Sequence, residues 1–249
     1  MHTMAVIRAL RGLGSALSDF VYPPHCSLCK VPLKAHERVV CAGCWSKVQV
    51  IAGPRCATCG CPLDEPAPTC TNCESETLNF DRARILSPFD ETIQSLIHQL
   101  KYRGKRSIGH RLGAMLGELI MSDGDSDGVD VIVPVPLHPS REKERGYNQS
   151  ALVARAIGDR LGVEVNTALL VRTRRTRTQT KLSAEKRVKN VAGAFAVKYP
   201  EPVRGKAILL VDDVLTTGAT VNACAQALSE AGAKRVWLAA LAHPFSEAR

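Results

Sequence analysis

Apolar residues beyond position 73 follow the two periods of regular secondary structure. Short apolar runs alternate with segments whose apolar residues are three and four positions apart, as on one face of a helix. The predicted elements are, in chain order, a strand at 82–89, helices at 91–102 and 107–121, a strand at 129–137, a helix at 149–161, a strand at 163–171, an apolar stretch at 191–197 and a strand from 208. This alternation predicts an α/β domain with a mainly parallel sheet, in which ligands bind where loops leave the carboxyl ends of the strands.

The first 24 residues carry a separate apolar pattern. Their apolar positions recur as on one face of a helix that ends before two prolines, at Val6, Ile7, Leu10, Leu13, Leu17 and Phe20. Two interpretations stay open, a helix docked on its own protein and an anchor on a membrane surface. Arg8 and Arg11 interrupt the apolar part, so a secretory signal is not expected. No apolar run approaches the roughly 18 residues of a membrane helix, and we expect a cytoplasmic protein without a membrane span.

Cysteine is concentrated in one stretch, since nine of the ten cysteines lie between positions 26 and 73. Eight of them form Cys-x-x-Cys pairs, at Cys26 and Cys29, Cys41 and Cys44, Cys56 and Cys59, and Cys70 and Cys73. Two such pairs supply the four thiolates of a tetrahedral zinc site, so the spacing predicts two structural Zn²⁺ ions. Disulfides are disfavoured without a secretion signal, and iron–sulfur clusters use less symmetric spacings. Consecutive pairing of the knuckles is favoured over interleaved pairing because it needs shorter loops.

The two other cysteines fit different roles. Cys61 has no partner at this spacing and is expected to be a spare thiol, whereas Cys224 is expected in the core. The cysteine stretch defines a small module, and the change of pattern after it marks a boundary. The predicted organisation is an amphipathic helix at 1–24, a double zinc-ribbon module at 25–78 and a larger domain at 79–249.

Basic residues are concentrated between positions 172 and 189, where eight of them stand against the single acid Glu185. A solvated loop is one interpretation, and a contact surface for polyanions is the other. The candidate nucleic-acid contacts are Arg172, Arg174, Arg175 and Arg177. The formal net charge of the chain is +9, which two four-thiolate zinc sites would lower to about +5.

The segment ILLVDDVLTTGAT, residues 208–220, joins an apolar strand to two carboxylates and a small hydroxyl-rich loop. Thr220 fits the N-cap of a following helix, whose free amides and dipole suit a phosphate. Gly218 permits a positive φ or a close approach of the backbone. Asp212 and Asp213 would repel the phosphate unless they were occupied by hydroxyl groups and a hydrated Mg²⁺. The segment therefore predicts a site for a phosphorylated ribose.

Three other interpretations of the segment 208–220 can be compared with the sequence. Response-regulator receiver domains also begin with LLVDD, but the 36 residues after Asp213 are too few for one. A nucleoside-triphosphate P-loop is excluded because no G-x-x-x-x-G-K-[ST] sequence is present. A purely structural Asp-Asp turn stays open from residue types alone.

Several segments together resemble one protein family. VDDVLTTGAT resembles the phosphoribosyl-pyrophosphate (PRPP) signature of type I phosphoribosyltransferases. With the four Cys-x-x-Cys pairs, PVPLHPSREKERGYNQ and QTKLSAEKRVKNVAGAF, it resembles the ComF family of competence-associated proteins over almost the whole chain, although Tyr147 stands where many members have Phe. The resemblance implies a type I phosphoribosyltransferase-like α/β fold. In the implied fold, a mainly parallel twisted sheet is flanked by helices, and a small N-terminal four-cysteine zinc-ribbon module precedes this domain.

The resemblance also implies roles for individual residues. The implied PRPP-binding residues, acting with Mg²⁺, are Asp212, Asp213, Thr216, Thr217, Gly218, Ala219 and Thr220. The implied pyrophosphate loop spans 136–146, with His138, Arg141 and Arg145 as candidate contacts. The basic segment is implied to be a flexible hood over the site. Candidates for catalysis are Lys181, Arg187 and Asp213.

Two hypotheses of function follow from the resemblance. The first is an enzyme that transfers phosphoribose from PRPP to an unidentified acceptor and releases pyrophosphate. The second is a non-catalytic protein that handles single-stranded DNA and uses the PRPP site for regulation. The expected partners are PRPP and, under the second hypothesis, single-stranded DNA and DNA-uptake proteins.

Overall fold

The computed structural model of the chain describes residues 24–65, 68–75, 78–124, 128–174 and 190–245. The predicted N-terminal helix therefore lies outside the described residues. The chain divides into two compact units, residues 1–48 and 49–249, so that the first four-cysteine group lies in one unit and the second in the other. Within the described residues, no helix combines the length and the apolar character needed to cross a membrane.

Helices and strands alternate along the second unit. The described helices are α1 (Ala42–Trp45), α2 (Thr71–Ser75), α3 (Glu91–Tyr102), α4 (Arg106–Ser122), α5 (Pro139–Arg145), α6 (Gln149–Leu161) and α7 (Ala219–Glu230). The described strands are β1 (Arg82–Pro88), β2 (Val131–Pro134), β3 (Leu170–Arg172), β4 (Phe195–Val197), β5 (Ala207–Val214) and β6 (Arg235–His243). Helix α1 belongs to the first unit, and the remaining elements belong to the second.

The main sheet has the strand order β1-β6-β5-β2, and all three of its pairings are parallel. This confirms the predicted parallel sheet. The central strands β5 and β6 are buried along almost their whole length, as expected for a sheet covered on both faces. Because the strands are parallel, β2 and β5 end at the same edge of the sheet, where the carboxylates of Asp212 and Asp213 lie.

Helices α4 and α6 pack closely because glycine lies at their contact. A Cβ atom added to Gly113 would lie 2.7 Å from the carbonyl oxygen of Val153 and 2.8 Å from the Cβ of Ala156. The Asn148 side chain caps α6 by accepting a hydrogen bond from the backbone N–H of Ser150 at 3.0 Å. This packing fixes the first turn of α6 beside the end of β5.

The strand predicted at 163–171 is wrong in part. Val165 forms only an isolated parallel bridge with Ile132, after which the chain leaves the sheet. The Asn166 side chain accepts the backbone N–H of Ala168 at 3.0 Å, which forms a turn. The chain then resumes in β3, which pairs antiparallel with β4 in a separate two-stranded sheet.

The second four-cysteine group is fastened to the sheet of its own unit. The Asp123 carboxylate pairs with the guanidinium groups of Arg55 at 2.9 Å and Arg84 at 3.3 Å. A Cβ atom on Gly60 would lie 2.8 Å from the carbonyl oxygen of Ala83, so the backbone of this ribbon lies directly against β1. Arg84 and Ala83 belong to β1 and Asp123 follows α4, which ties the ribbon to two elements of the domain.

Candidate functional site

A cavity of about 200 Å³ lies at the carboxyl end of β5. Its wall includes the two carboxylates at the end of that strand, the loop that follows, the first turn of α7 and residues 135–137 after β2. Lys101, Gln149 and Arg172 complete this part of the wall from three other elements. Carboxylates, cations and small loop residues thus line one concave space, which has the composition of a site for a small polar ligand.

Asp212 is buried, with 8% of its surface exposed, and its carboxylate is held by neighbouring donors. Its Oδ1 accepts hydrogen bonds from the Ser150 hydroxyl at 3.0 Å and from the backbone N–H of Asp213 at 2.8 Å. Burial, followed by the adjacent Asp213 charge, raises the pKa of Asp212 to about 7. Near neutral pH this group therefore exchanges a proton readily, and a bound hydroxyl or cation would favour its charged form.

The pKa of Asp213 is shifted in the opposite direction, below its usual value. Burial alone would raise its pKa, but the ammonium group of Lys101 forms an ion pair with Oδ2 and holds the pKa below its usual value. Of the two adjacent carboxylates, Asp213 is therefore held in its charged form, whereas Asp212 takes up a proton more readily than an ordinary carboxyl group. Such a division relieves the repulsion between two buried charges in one site.

The loop after β5 and the first turn of α7 contribute residues to the wall of the same cavity. Thr216, Gly218, Ala219 and Thr220 line it, whereas Thr217 is not among the lining residues. The prediction that Thr220 is the N-cap is wrong, because α7 begins at Ala219 and its N-cap is Gly218. Gly218 has φ of 68°, and a Cβ there would meet no atom closer than 3.9 Å, so the positive φ explains this glycine.

The loop after β2 approaches the cavity mainly through its first residues. Val135, Pro136 and Leu137 line the cavity. His138 is the N-cap of α5, where its Nδ1 accepts the backbone N–H of Ser140 at 3.2 Å. Arg145 reaches the cavity wall indirectly, since its Nη1 donates to Oε1 of Gln149.

The structure describes only the start of the basic segment, residues 172–174. Arg172 lines the cavity, and its guanidinium carbon lies 5.2 Å from the ring centroid of Phe195. Arg174 donates to the carbonyl oxygens of Asn190 at 3.2 Å and Ala192 at 2.9 Å. The other residues of this segment that carry predictions, Arg175, Arg177, Lys181 and Arg187, lie outside the described residues.

Sequence reasoning missed Lys101, Gln149 and Ser150, which are far from Asp212 and Asp213 in the chain. A weak signal existed for Lys101, which follows Ile97 by four positions on the buried face of α3. No such signal marked Ser150, since it looks like any polar residue in the first turn of a helix.

The eight paired cysteines form two groups of four in the consecutive order favoured by loop length. Within each group the sulfur atoms lie within 4.8 Å of one another. The distances from Cys26 to Cys44 and from Cys29 to Cys41 are 3.8 Å and 3.6 Å, and Cys59 to Cys70 is 3.7 Å. Ligands about 2.3 Å from a tetrahedral zinc ion lie about 3.8 Å apart, so both groups fit Zn²⁺.

Each of the two groups contains a hydrogen bond from a backbone N–H to a cysteine sulfur atom. The N–H of Cys41 donates to Sγ of Cys26 at 3.4 Å, and the N–H of Cys70 donates to Sγ of Cys56 at 3.3 Å. Burial opposes the thiolate at Cys26 and Cys56, but backbone N–H donors outweigh it and lower their pKa values to about 6 and about 7. These donors favour the thiolate form that binds zinc. Cys61 lies outside both groups, and Cys224 is fully buried, as expected for a core residue.

Taken together, the parallel sheet, the acidic pair and the loop define a phosphoribosyltransferase-type α/β domain that accompanies two four-cysteine zinc ribbons. Family models agree: a double zinc ribbon domain matches residues 17–74, and a phosphoribosyl transferase domain matches residues 147–248. The chain belongs to the ComF family of competence-associated proteins.

Three relatives illustrate this membership. The DNA utilization protein YhgH of Salmonella typhi is 34% identical over 217 residues, covering 86% of this chain and 94% of its own. Competence protein F of Haemophilus influenzae is 30% identical, covering 87% and 96%. Competence protein ComFC of Bacillus subtilis is 30% identical, covering 80% and 81%.

Proposed function

We propose that the chain binds PRPP with Mg²⁺ in this cavity and transfers its phosphoribosyl group to an acceptor, with release of pyrophosphate. The observation that carries the proposal is the convergence of Asp212, Asp213 and the 216–220 loop on one cavity of about 200 Å³. A phosphate and a pair of ribose hydroxyls need these two kinds of partner next to each other. The reduced cysteine groups suit the cytoplasm, where thiols are kept reduced.

The loop and α7 provide the part of the site for the 5′-phosphate. Backbone N–H groups at the start of a helix are free to donate, and the helix dipole favours an anion there. Thr216 and Thr220 add hydroxyl groups to the same wall. The carboxylates of Asp212 and Asp213 would accept hydrogen bonds from the ribose hydroxyls.

Oxygen ligands of this kind also suit Mg²⁺, which prefers carboxylates together with ligand phosphates. When bound, Mg²⁺ would neutralise charge on the pyrophosphate. In the proposed reaction the bond between C1 of the ribose and the pyrophosphate oxygen breaks, the bond to the acceptor forms, and pyrophosphate leaves with the bonding electrons. Arg172 supplies a fixed positive charge at the cavity for that leaving group.

Lys101 has a specific part in this proposal. Its ammonium group is paired with Asp213, so a ribose hydroxyl that binds Asp213 competes with Lys101 for the carboxylate. Displaced from it, Lys101 would still line the cavity and would be available to a phosphate oxygen. The residue therefore positions Asp213 before binding and compensates anionic charge afterwards.

The test of PRPP binding is a thermal unfolding measurement with PRPP and Mg²⁺. At about 100 times its dissociation constant, a ligand of the native state adds about 2.7 kcal/mol of stability. The double variant Asp212→Asn/Asp213→Asn keeps side-chain size but removes the charge that hydroxyls and Mg²⁺ require. We expect the PRPP-dependent rise in Tm to disappear in this variant, whereas an undiminished rise would contradict the role of the two carboxylates.

Catalysis needs a separate test. Candidate bases are offered together with PRPP and Mg²⁺, and pyrophosphate release is measured. Release that depends on one base supports transfer and identifies the acceptor. PRPP-dependent stabilisation without acceptor-dependent release would favour a site that only senses PRPP.

A second candidate function is the handling of single-stranded DNA. It is favoured by an exposed tyrosine, Tyr102, whose ring lies under the guanidinium group of Arg145 and which follows the cavity residue Lys101 in the chain. Two of the similar proteins carry names that refer to competence, and another is a DNA utilization protein. Under this function the PRPP site regulates DNA binding and need not release pyrophosphate, which distinguishes it from the first.

A further inference from the structure

The end of α3 and the turn after it expose an aromatic ring among cations. Tyr102 is 67% exposed, more than any other large hydrophobic residue of the described chain. The guanidinium carbon of Arg145 lies 5.6 Å from the centroid of its ring. Arg103, Lys105 and Arg106 follow directly and are also exposed. These five residues, Tyr102, Arg103, Lys105, Arg106 and Arg145, are called the Tyr102 surface below.

The Tyr102 surface is held in place by contacts between three elements. The Tyr147 hydroxyl donates to the backbone carbonyl of Leu100, which fixes the end of α3 against the turn before α6. Arg106 lies over the Tyr147 ring at 4.6 Å and donates to the carbonyl oxygen of Gly146 at 3.2 Å. The ring of Tyr102 is therefore presented by a packed scaffold, which lowers the entropy cost of binding through it.

The same surface adjoins the cavity. Lys101 lines the cavity and immediately precedes Tyr102 in the chain. Arg145 lies over Tyr102 and donates to Gln149, which also lines the cavity. A polyanion on the Tyr102 surface would thus lie beside the proposed PRPP site.

We propose that the Tyr102 surface binds single-stranded DNA, with an unpaired base stacked on Tyr102 and phosphates contacted by Arg103 and Lys105. This inference rests on the second candidate function and gives it a location. An exposed aromatic ring flanked by cations is how proteins bind single strands without sequence preference, because every base has a stacking face and every linkage carries a charge. Among the described residues, neither Arg103 nor Lys105 forms an ion pair, so both charges are available for phosphates.

Other anionic partners fit this surface less well. Duplex DNA offers phosphates but no unpaired base, so it would leave the Tyr102 ring unused. The described arginines of the basic segment are also less suitable contacts. Arg172 faces the cavity, and Arg174 is held by two backbone carbonyls.

The test measures binding of a fluorescent single-stranded oligonucleotide to the full chain by anisotropy. Loss of one stacking partner weakens single-strand binding by about 1–3 kcal/mol, so Tyr102→Ala should weaken it roughly 5- to 150-fold. Tyr102→Phe keeps a stacking face and should bind like the parent. An excess of duplex of the same length should compete poorly.

Tyr199 provides a matched control. It is 54% exposed, and the ammonium group of Lys198 lies 5.1 Å from its ring centroid, so it too is an exposed tyrosine with a cation. Tyr199→Ala should leave DNA affinity unchanged. The proposal would be overturned if Tyr102→Ala bound single strands as tightly as the parent does. It would also be overturned if Tyr199→Ala lost as much affinity as Tyr102→Ala, or if duplex competed as well as a single strand.

A salt titration tests the phosphate contacts independently of stacking. Each phosphate contact on a single strand contributes about −0.7 to the slope of log affinity against log salt, so Arg103→Gln/Lys105→Gln should flatten the slope by about 1.4. The control Lys198→Gln/Lys234→Gln removes two exposed charges elsewhere and should not change the slope. An unchanged slope in the first variant would remove these two residues from the interface and overturn the proposal.

PRPP-dependent stabilisation of the same variants separates this inference from the proposed transfer reaction. Tyr102→Ala should retain the full PRPP shift in Tm, because its side chain does not line the cavity. If the parent binds DNA as predicted but shows no PRPP shift, the transfer proposal fails and the Tyr102 surface stands. If PRPP binds and the parent shows no affinity for single strands at low salt, the Tyr102 surface fails alone.

Discussion

Asp212 and Asp213 are neighbours in the chain, yet burial and Lys101 shift their pKa values in opposite directions. The pKa of Asp212 is raised by burial and by the adjacent Asp213 charge, whereas the ion pair with Lys101 lowers the pKa of Asp213. A ligand that brings hydroxyl donors and a metal ion would draw both carboxylates to their charged form. Binding of the proposed ligand would therefore be coupled to proton release from Asp212.

The raised pKa of Asp212 predicts a pH-dependent contribution to stability. Its folded value of about 7 lies above the ordinary value of 3.8, so the folded state binds this proton more tightly than the unfolded state. The contribution is fully present below about pH 4 and is lost as the pH rises to about 7. One pKa unit corresponds to about 1.4 kcal/mol, which sets the size of the loss at a few kcal/mol at most.

Urea unfolding of Asp212→Asn between pH 4.5 and pH 7.5 measures this contribution. Because asparagine does not titrate, the variant should gain stability relative to the parent as the pH rises. Asp159→Asn, on the exposed side of α6, is the control and should follow the parent at each pH. A constant difference between Asp212→Asn and the parent across this range would show that Asp212 is not the titrating group.

At the level of residues, the sequence predicted the part of the candidate site that is continuous in the chain. Asp212 and the loop at 216–220 come together because they are joined by one strand-to-helix connection, which any α/β domain places at the sheet edge. Lys101 and Ser150 could not be placed in the same way. Their positions depend on how α3 and α6 pack against the sheet, and that packing is a tertiary property.

Among the elements, helices α3 and α6 begin and end where the sequence pattern predicts. Asp90 and Asn148 are side-chain caps at their starts, and apolar residues at helical spacing continue to their ends. The predicted start of α7 was wrong by two residues, because Gly218 in the left-handed region replaced the expected side-chain cap Thr220. The strand predicted at 163–171 is wrong in part because apolar residues alone do not show where a turn diverts the chain.

The contact between α4 and α6 predicts a graded effect of two substitutions in one helix. Gly113→Ala would place a methyl group 2.7 Å from the backbone oxygen of Val153, which cannot move without shifting α6. We expect a loss of about 1–3 kcal/mol, despite the better helix propensity of alanine. Because α6 carries Ser150 and Gln149, PRPP-dependent stabilisation should weaken as well.

Gly109→Ala is the matched control in the same helix. The closest atom to its added Cβ is a side-chain methyl group of Leu100 at 3.2 Å, which can adjust. Its free energy of unfolding, measured in urea, should therefore stay closer to that of the parent. If Gly113→Ala were as stable as Gly109→Ala, the close approach of α4 and α6 would not be the constraint at this position.

For the whole molecule, the alternation of strands and helices predicts a parallel sheet, but it does not predict the order β1-β6-β5-β2. That order depends on long-range pairing, which local apolar patterns do not encode. The cysteine spacing predicted both metal groups, because each Cys-x-x-Cys turn is a local structure. The ion pairs of Asp123 with Arg55 and Arg84, which fasten the second ribbon to the domain, have no such local signature.

Zinc content tests the two ribbons as parts of the whole molecule. Elemental analysis should find two zinc ions per parent chain and about one in either Cys29→Ser or Cys59→Ser. The control Cys61→Ser should keep two, because Cys61 belongs to neither group of four. A value below two for the parent would contradict the double site.

Removal of zinc by a strong chelator should unfold the ribbons and leave the sheet domain folded. A structural zinc site contributes on the order of 10 kcal/mol of apparent binding energy, which a ribbon of this size cannot replace by burial alone. Hydrogen exchange should therefore become fast in residues 24–65 and 68–75 and stay slow in β5 and β6, whose core side chains are buried.

Because Arg55 and Gly60 attach the second ribbon to its domain, Cys59→Ser should lower the Tm of that domain more than Cys29→Ser does. Equal Tm values for the two variants would show that these contacts do not couple the second ribbon to the sheet.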